Sequence, residues 1–245
     1  MPSFSVFSIP INGLSTEEIL HHASQAQKLT WIVTANPEIL LYAKKDDAYR
    51  ETLLRADLRI VDSFGLEMVG RMRGVQPHRI PGANLAEAIV TWAHARNLSI
   101  GLIGGGDLKS AKPALVVLQK IHPGLKGTAE DGGKVFSDGI EDDENIAATQ
   151  RLIAAKPDII FVAFGHPKQE RWIEKHLADF PNAKIIIGVG GTFDYWAGTI
   201  PRAPKFMQTI GLEWLYRLIR EPKRWKRILN ALLVFPYYAI FDKKQ

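Results

Sequence analysis

Five short clusters hold the residue types able to do chemistry: Thr34-Ala35-Asn36-Pro37-Glu38, Asp62-Ser63-Phe64-Gly65, Gly104-Gly105-Gly106-Asp107, Gly165-His166-Pro167-Lys168-Gln169-Glu170 and Gly190-Gly191-Thr192-Phe193-Asp194. Glycines admit a ligand close to the backbone, and a helix start offers amide donors at the positive end of its dipole. That combination suits a nucleotide diphosphate. Familiar phosphate motifs fail, however. Counting from Gly101, P-loop spacing holds as far as Gly106, but Asp107 stands where the lysine belongs. A dinucleotide fingerprint meets Lys109 when begun at Gly104 and Phe193 when begun at Gly188, where glycine is required. Gly104 and Gly105 are thus balanced between phosphate or ribose contact and the ordinary backbone needs of a strand-to-helix turn.

Each cluster follows a short β-branched run: Trp31-Ile32-Val33, Leu58-Arg59-Ile60-Val61, Ile100-Gly101-Leu102-Ile103, Ile159-Ile160-Phe161-Val162 and Ile185-Ile186-Ile187. Between the runs, residues 17–28, 83–96, 111–121, 144–155 and 169–177 have helical period. Alternating strands and helices predict an α/β fold with a Rossmann-like, mostly parallel sheet flanked by helices. The strand ends of such a sheet share one edge, so the five clusters are expected to converge there. Residues 126–139 read as a short strand and loop. From residue 209 the pattern is helical, with breaks expected at Pro222 and Pro236. The expected division is a catalytic body, 1–201, and a basic helical C-terminal appendage, 202–245.

Charge separates the same two parts. Residues 202–245 hold ten Lys/Arg against three acids and eight aromatics, whereas residues 1–201 carry 21 basic and 23 acidic side chains. A basic, aromatic tail suits an anionic surface: lipid headgroup, pyrophosphate or nucleic acid. The chain has 245 residues, 46% of them hydrophobic, and no cysteine, which excludes a disulfide framework and thiolate chemistry. No signal peptide is readable at the N-terminus, so a cytoplasmic location is expected. The late apolar stretch 228–241 contains Pro236 and falls short of the roughly 20 residues that span a bilayer. The seven histidines are scattered, and no Asp-x-Asp pair closes a strand. The acidic run 141–144 reads as a solvated helix start. Neither a metal nor a cofactor is expected.

The stretch Phe161-Val-Ala-Phe-Gly-His-Pro-Lys-Gln-Glu-Arg-Trp-Ile173, then Gly188-Val-Gly-Gly-Thr-Phe-Asp-Tyr-Trp-Ala-Gly198 and Arg202-Ala-Pro204, resembles the WecG/TagA/CpsF family of bacterial glycosyltransferases. Thr34-Ala-Asn-Pro-Glu38, Gly211-Leu-Glu-Trp-Leu-Tyr-Arg217 and Glu221-Pro222 extend the resemblance over nearly the whole chain. It implies transfer of a sugar, typically of N-acetylmannosamine type, from a UDP-sugar to a polyprenyl-diphosphate-linked saccharide. The chemistry is expected to be inverting and without an obligatory metal, at the cytoplasmic membrane face with the appendage completing the site. One departure is Asp62-Ser63, where the family commonly has Asp-Gly.

Under that resemblance, inverting transfer needs a base to take the acceptor's proton, and Asp62 is the candidate, against the alternative of a turn-forming or helix-capping aspartate. Thr34 and Asn36 would orient the acceptor, or else serve as capping residues. Gln169 would meet a sugar hydroxyl or phosphate, or else be a solvated helix start. Gly190 and Gly191 would approach the donor, and Asp194 would accept from uracil or ribose. Arg217, Arg224 and Arg227, with Arg79 in support, would hold the diphosphate, since guanidinium geometry suits phosphate oxygens and a continuous helix would group the tail arginines on one face. His166 reads as structural, and Tyr195 and Trp196 as core residues. The tail's apolar side reads either as an interfacial helix or as a helix pair packed on the body. A homo-oligomer is compatible with the sequence. The competing function is a nucleic-acid-binding α/β protein gripping phosphates with its tail; a nicotinamide enzyme is disfavoured by the missing fingerprint.

Overall fold

The computed structural model describes residues 2–209, 212–220 and 225–241, and only the backbone of Asp107, Thr209, Glu213, Arg217, Lys226 and Arg227. Its eight strands are β1 (Ser3–Val6), β2 (Ile9–Asn12), β3 (Thr30–Ala35), β4 (Leu58–Val61), β5 (Ile100–Gly104), β6 (Gly127–Glu130), β7 (Ile159–Ala163) and β8 (Ile185–Gly188). They form one sheet in the order β1-β2-β4-β3-β8-β7-β5-β6. Only the β1–β2 hairpin is antiparallel.

The helices are α1 (Thr16–Gln25), α2 (Pro37–Ala43), α3 (Asp47–Arg55), α4 (Phe64–Met72), α5 (Gly82–Ala95), α6 (Ala111–Ile121), α7 (Asp143–Ala155), α8 (Lys168–His176), α9 (Thr192–Trp196), α10 (Lys205–Thr209), α11 (Glu213–Arg220), α12 (Trp225–Leu229) and α13 (Phe235–Phe241). Both faces of the central strands are covered, so β3, β4, β5, β7 and β8 are buried along their whole length, whereas the edge strand β1 alternates exposed serines with buried Phe4 and Val6. Successive residues of β7 nevertheless serve opposite cores. Ile160 and Val162 pack with α2, α3, α4, α7, α8 and α13, while Ile159, Phe161 and Ala163 pack with α1, α5, α6 and α9.

All five expected strands and all five expected helices are present. The β1–β2 hairpin and the helices α2 to α4, α9 and α10 are additional. Two local expectations are corrected. Pro236 does not break the chain: it is the second residue of α13, and a π-helical turn, Asn230–Val234, precedes it. Such a turn offers a helix a way to adjust where proline supplies no donor. Of the acidic run, Asp142 caps α7 by accepting from the Asn145 amide at 2.8 Å, but Glu141 is not solvated. Its buried carboxylate pairs with Lys175 at 2.5 Å and with His176 at 2.9 Å.

Candidate active site

The C-terminal ends of β3, β4, β7 and β8 open onto one cavity of about 650 Å³. From β3 the chain crosses to β4 on one side, whereas the neighbouring β8 is reached from β7 on the other, so the two halves of the sheet meet at β3 and β8, the kind of crevice at strand ends where open α/β folds bind ligands. Thr34, Asn36, Asp62, Arg79, Gln169, Gly190 and Gly191 all line it.

Asp62 leaves β4 toward the N-terminus of α5, where its Oδ1 accepts the Gly82 amide at 2.6 Å. That contact fixes the carboxylate's direction and sets it at the positive end of a helix dipole. A Cβ on Gly82 would stand 3.0 Å from Thr34 Cγ2 and 3.4 Å from Asp62 Oδ1, so glycine lets α5 approach both. The Thr34 hydroxyl donates to the Gly188 carbonyl at 3.2 Å, tying β3 to β8. Asn36 caps α2, its Oδ1 accepting from the Glu38 and Ile39 amides at 3.0 and 3.1 Å, which leaves its amide nitrogen for the cavity. Ser63, the departure from the family pattern, caps α4 through the Leu66 amide at 3.3 Å.

Gln169 is buried, not solvated. Its Oε1 accepts the Gly190 amide at 3.1 Å, and its Nε2 donates to Glu170 Oε1 at 2.7 Å. Glu170 Oε2 in turn accepts the Tyr49 hydroxyl at 2.9 Å. Burial raises the Glu170 carboxyl above its ordinary 4.5 and the Tyr49 phenol well above 10. The chain Tyr49–Glu170–Gln169 thereby orients the amide that holds Gly190. His166 also reaches the cavity and pairs with Glu38 at 3.0 Å.

Arg79 pairs with Glu67 at 3.2 Å and donates to the Gln208 carbonyl at 3.2 Å. Arg202 pairs with Glu87 at 3.4 Å and lies over the Tyr195 ring. Tyr195 lines the cavity rather than the core, whereas Trp196 is buried against Phe161 and Phe193. Glu38, Glu67, Gly82 and Arg202 were not assigned roles from sequence, although Glu38 and Arg202 stand in the motifs Thr34-Ala35-Asn36-Pro37-Glu38 and Arg202-Ala203-Pro204.

The cluster that begins at Gly104 does not join the other four. β5 lies beyond β7, so Gly104 and Gly105 fall outside the cavity lining. Asp194 goes with them: its Oδ1 accepts from the Ser110 hydroxyl at 2.7 Å, and that hydroxyl lies 3.3 Å from the Gly105 carbonyl. The backbone accounts for both glycines. Their φ values are +107° and +106°, and a Cβ would come within 2.7 Å of the Ala163 carbonyl oxygen or of the Ser110 nitrogen.

The tail roofs the cavity. Trp214 of α11, Ile228 of α12, Ala231 and Leu232 of the π turn, and Pro236 and Ile240 of α13 all line it. Phe235 anchors this roof in the main core, edge-on to Phe7 at 6.1 Å. Arg73 donates to the Ala239 carbonyl at 3.1 Å, and Lys44 stands over both the Phe7 and Tyr238 rings. The tail therefore both packs on the body and exposes apolar side chains. Of the tail arginines, Arg217 lies on α11 and Arg227 on α12, with side chains outside the described residues. Arg224 falls wholly outside them. Among the described residues no helix is long and apolar enough to cross a membrane, and no three His, Asp or Glu side chains are grouped to hold a metal ion.

The profile described as Glycosyl transferase WecG/TagA/CpsF family matches residues 4–245. A protein of Staphylococcus aureus strain MRSA252, named N-acetylglucosaminyldiphosphoundecaprenol N-acetyl-beta-D-mannosaminyltransferase, is 34% identical over 226 residues, covering 91% of this chain and 84% of its own. Proteins of the same name from S. aureus strains MW2 and NCTC 8325 are each 33% identical with the same coverage.

Proposed function

This chain belongs to the WecG/TagA/CpsF family of glycosyltransferases, and from that premise we propose that it moves a sugar with inversion from a UDP-sugar to a polyprenyl-diphosphate-linked saccharide. The relatives' name specifies an N-acetylmannosaminyl group and an N-acetylglucosaminyl-diphosphoundecaprenol acceptor. Both are the first candidates here, in the building of a cell-surface polymer. The observation that carries the reading is Asp62: a carboxylate at a strand end, aimed by the Gly82 amide, in a cavity that is polar at its sheet end and apolar under its roof.

In this mechanism Asp62 takes the proton from the acceptor hydroxyl as that oxygen attacks the anomeric carbon, and UDP leaves from the opposite face. The glycosidic bond forms as the bond from the anomeric carbon to the UDP oxygen breaks. Thr34 and Asn36 frame the acceptor beside Asp62. Gly190, whose amide Gln169 holds, and Gly191 offer backbone close to the donor. The charge of the leaving diphosphate falls to Arg79 with Arg217, Arg224 and Arg227, so that the tail contributes to the site as well as roofing it. Gly104 and Gly105 stand at the neighbouring end of β5 and Asp194 on α9 beside them, where a donor reaching past Gly190 would meet them. The enzyme would work at the cytoplasmic face of the membrane, attached by the cationic and apolar tail, since basic residues near an anionic leaflet contribute about 1 kcal/mol each.

The test is UDP release from a panel of UDP-sugars, in EDTA, with and without a polyprenyl-diphosphate-linked monosaccharide. Release from one donor only when acceptor is present is the expected outcome. No release from any donor under either condition overturns the assignment.

A further inference from the structure

Beside the polar strand ends, the cavity has a wall that the proposed chemistry does not use. α4 begins at Phe64, immediately after Asp62 and Ser63, and carries Phe64, Met68 and Met72 at four-residue spacing. That spacing forms one slowly winding stripe about 12 Å long. All three line the cavity, and they are 48%, 39% and 63% exposed. Leu232 and Ile240 of the roof line the same cavity and are also exposed. Exposed apolar side chains scattered singly need no explanation, but a continuous apolar strip leading out of a polar site does. Met68 and Met72 add a further property, since unbranched thioethers repack around irregular, branched hydrocarbon.

We infer that the α4 stripe, with Leu232 and Ile240 opposite, holds the first isoprene units of the acceptor's own lipid as they leave the diphosphate. This rests on the proposed transfer to a lipid-linked saccharide and adds a specificity-determining surface to it. Continuity selects the occupant: the stripe starts two residues from Asp62, so an acceptor whose sugar hydroxyl lies at that carboxylate directs its hydrocarbon along α4. Its place in the lining of the same cavity as Asp62 gives the stripe to the substrate's chain rather than to the bilayer.

The experiment uses the full chain with two soluble acceptors, N-acetylglucosaminyl diphosphate esterified to farnesol and to methanol, without vesicles or detergent. The wild type is expected to prefer the farnesyl ester at least tenfold in kcat/KM. The double variant Met68→Gln, Met72→Gln is expected to reduce that preference about tenfold, mainly through the farnesyl KM, as lost apolar burial would. Phe64→Gln, which changes the same stripe one turn nearer Asp62, should lower it in the same direction. Val116→Gln, at an exposed site on α6 remote from the cavity, serves as the control and keeps the preference. Equal wild-type kinetics for the two esters would overturn the inference while leaving the transferase assignment standing. So would variants that keep the farnesyl preference, including any that lose vesicle attachment alone, which would give the stripe to the membrane. Transfer to neither ester would instead remove the underlying reaction.

Discussion

The floor and the roof of the cavity are held in different ways. In the floor, polar side chains are tied to other strands and helices: Thr34 to Gly188, Asp62 to Gly82, and Gln169 to both Gly190 and Glu170. In the roof, the described side chains of α12 and α13 are mainly apolar, many of them exposed, and contacts that hold them on the body include Phe235 and Ala239 in the core, Arg73 on the Ala239 carbonyl and Lys44 against Tyr238. A floor built in this way preorganises charge. A roof built in this way is adaptable, which suits a substrate whose greater part is hydrocarbon. The two should therefore fail differently when altered.

The largest effect is expected in the floor. Asp62→Asn removes the proposed base while preserving shape, and steady-state transfer should fall by about 10²–10⁴ in kcat, the range for a lost acid–base group. Next is the roof's anchor. Phe235→Ala should cost about 3–5 kcal/mol as a buried aromatic truncation, raise the KM for lipid acceptor and speed proteolysis within residues 202–241 before the sheet unfolds. Loss of the whole chain in one cooperative step would show that floor and roof are a single unit and break the comparison. Gly82→Ala places a methyl against Thr34 Cγ2 and Asp62 and should cost about 1–3 kcal/mol as local overpacking, lowering kcat more than it raises the acceptor KM.

The smallest effect concerns Glu170. Its pKa is raised by burial, so the folded state favours the neutral carboxyl. The stability this group contributes is fully present below its ordinary 4.5 and is lost as pH rises through the higher folded value. Thermal unfolding from pH 4 upward should show that decline in the wild type, and Glu170→Gln should flatten it. An unchanged slope would place the pH dependence elsewhere.

The floor was more legible in the sequence than the roof. Strands with both faces buried announce themselves as runs such as Ile159-Ile160-Phe161-Val162, and their ends placed Thr34, Asn36, Asp62 and Gln169 at one edge. Strand order was not legible, and it is the order β8-β7-β5 that takes Gly104 and Gly105 away from Asp62, while Asp194 on α9 is engaged by the Ser110 hydroxyl. Nor was the state of Gln169 legible, because it depends on Glu170, whose other partner Tyr49 lies 121 residues away. The four-residue stripe of α4 was hidden by Gly65 and Gly70, which weaken a helical signal. In the tail, periodicity separated a cationic side from an apolar one, but only long-range packing decides that Phe235 turns inward while Leu233 stays exposed.

The most direct measurement of the central claim is made on one preparation of Asp62→Asn: UDP affinity by calorimetry, and acceptor-dependent transfer by single turnover. If the floor binds and the carboxylate acts as base, UDP affinity will match the wild type while transfer falls at least 100-fold. Transfer at the wild-type rate, or UDP binding lost in step with transfer, would contradict the account.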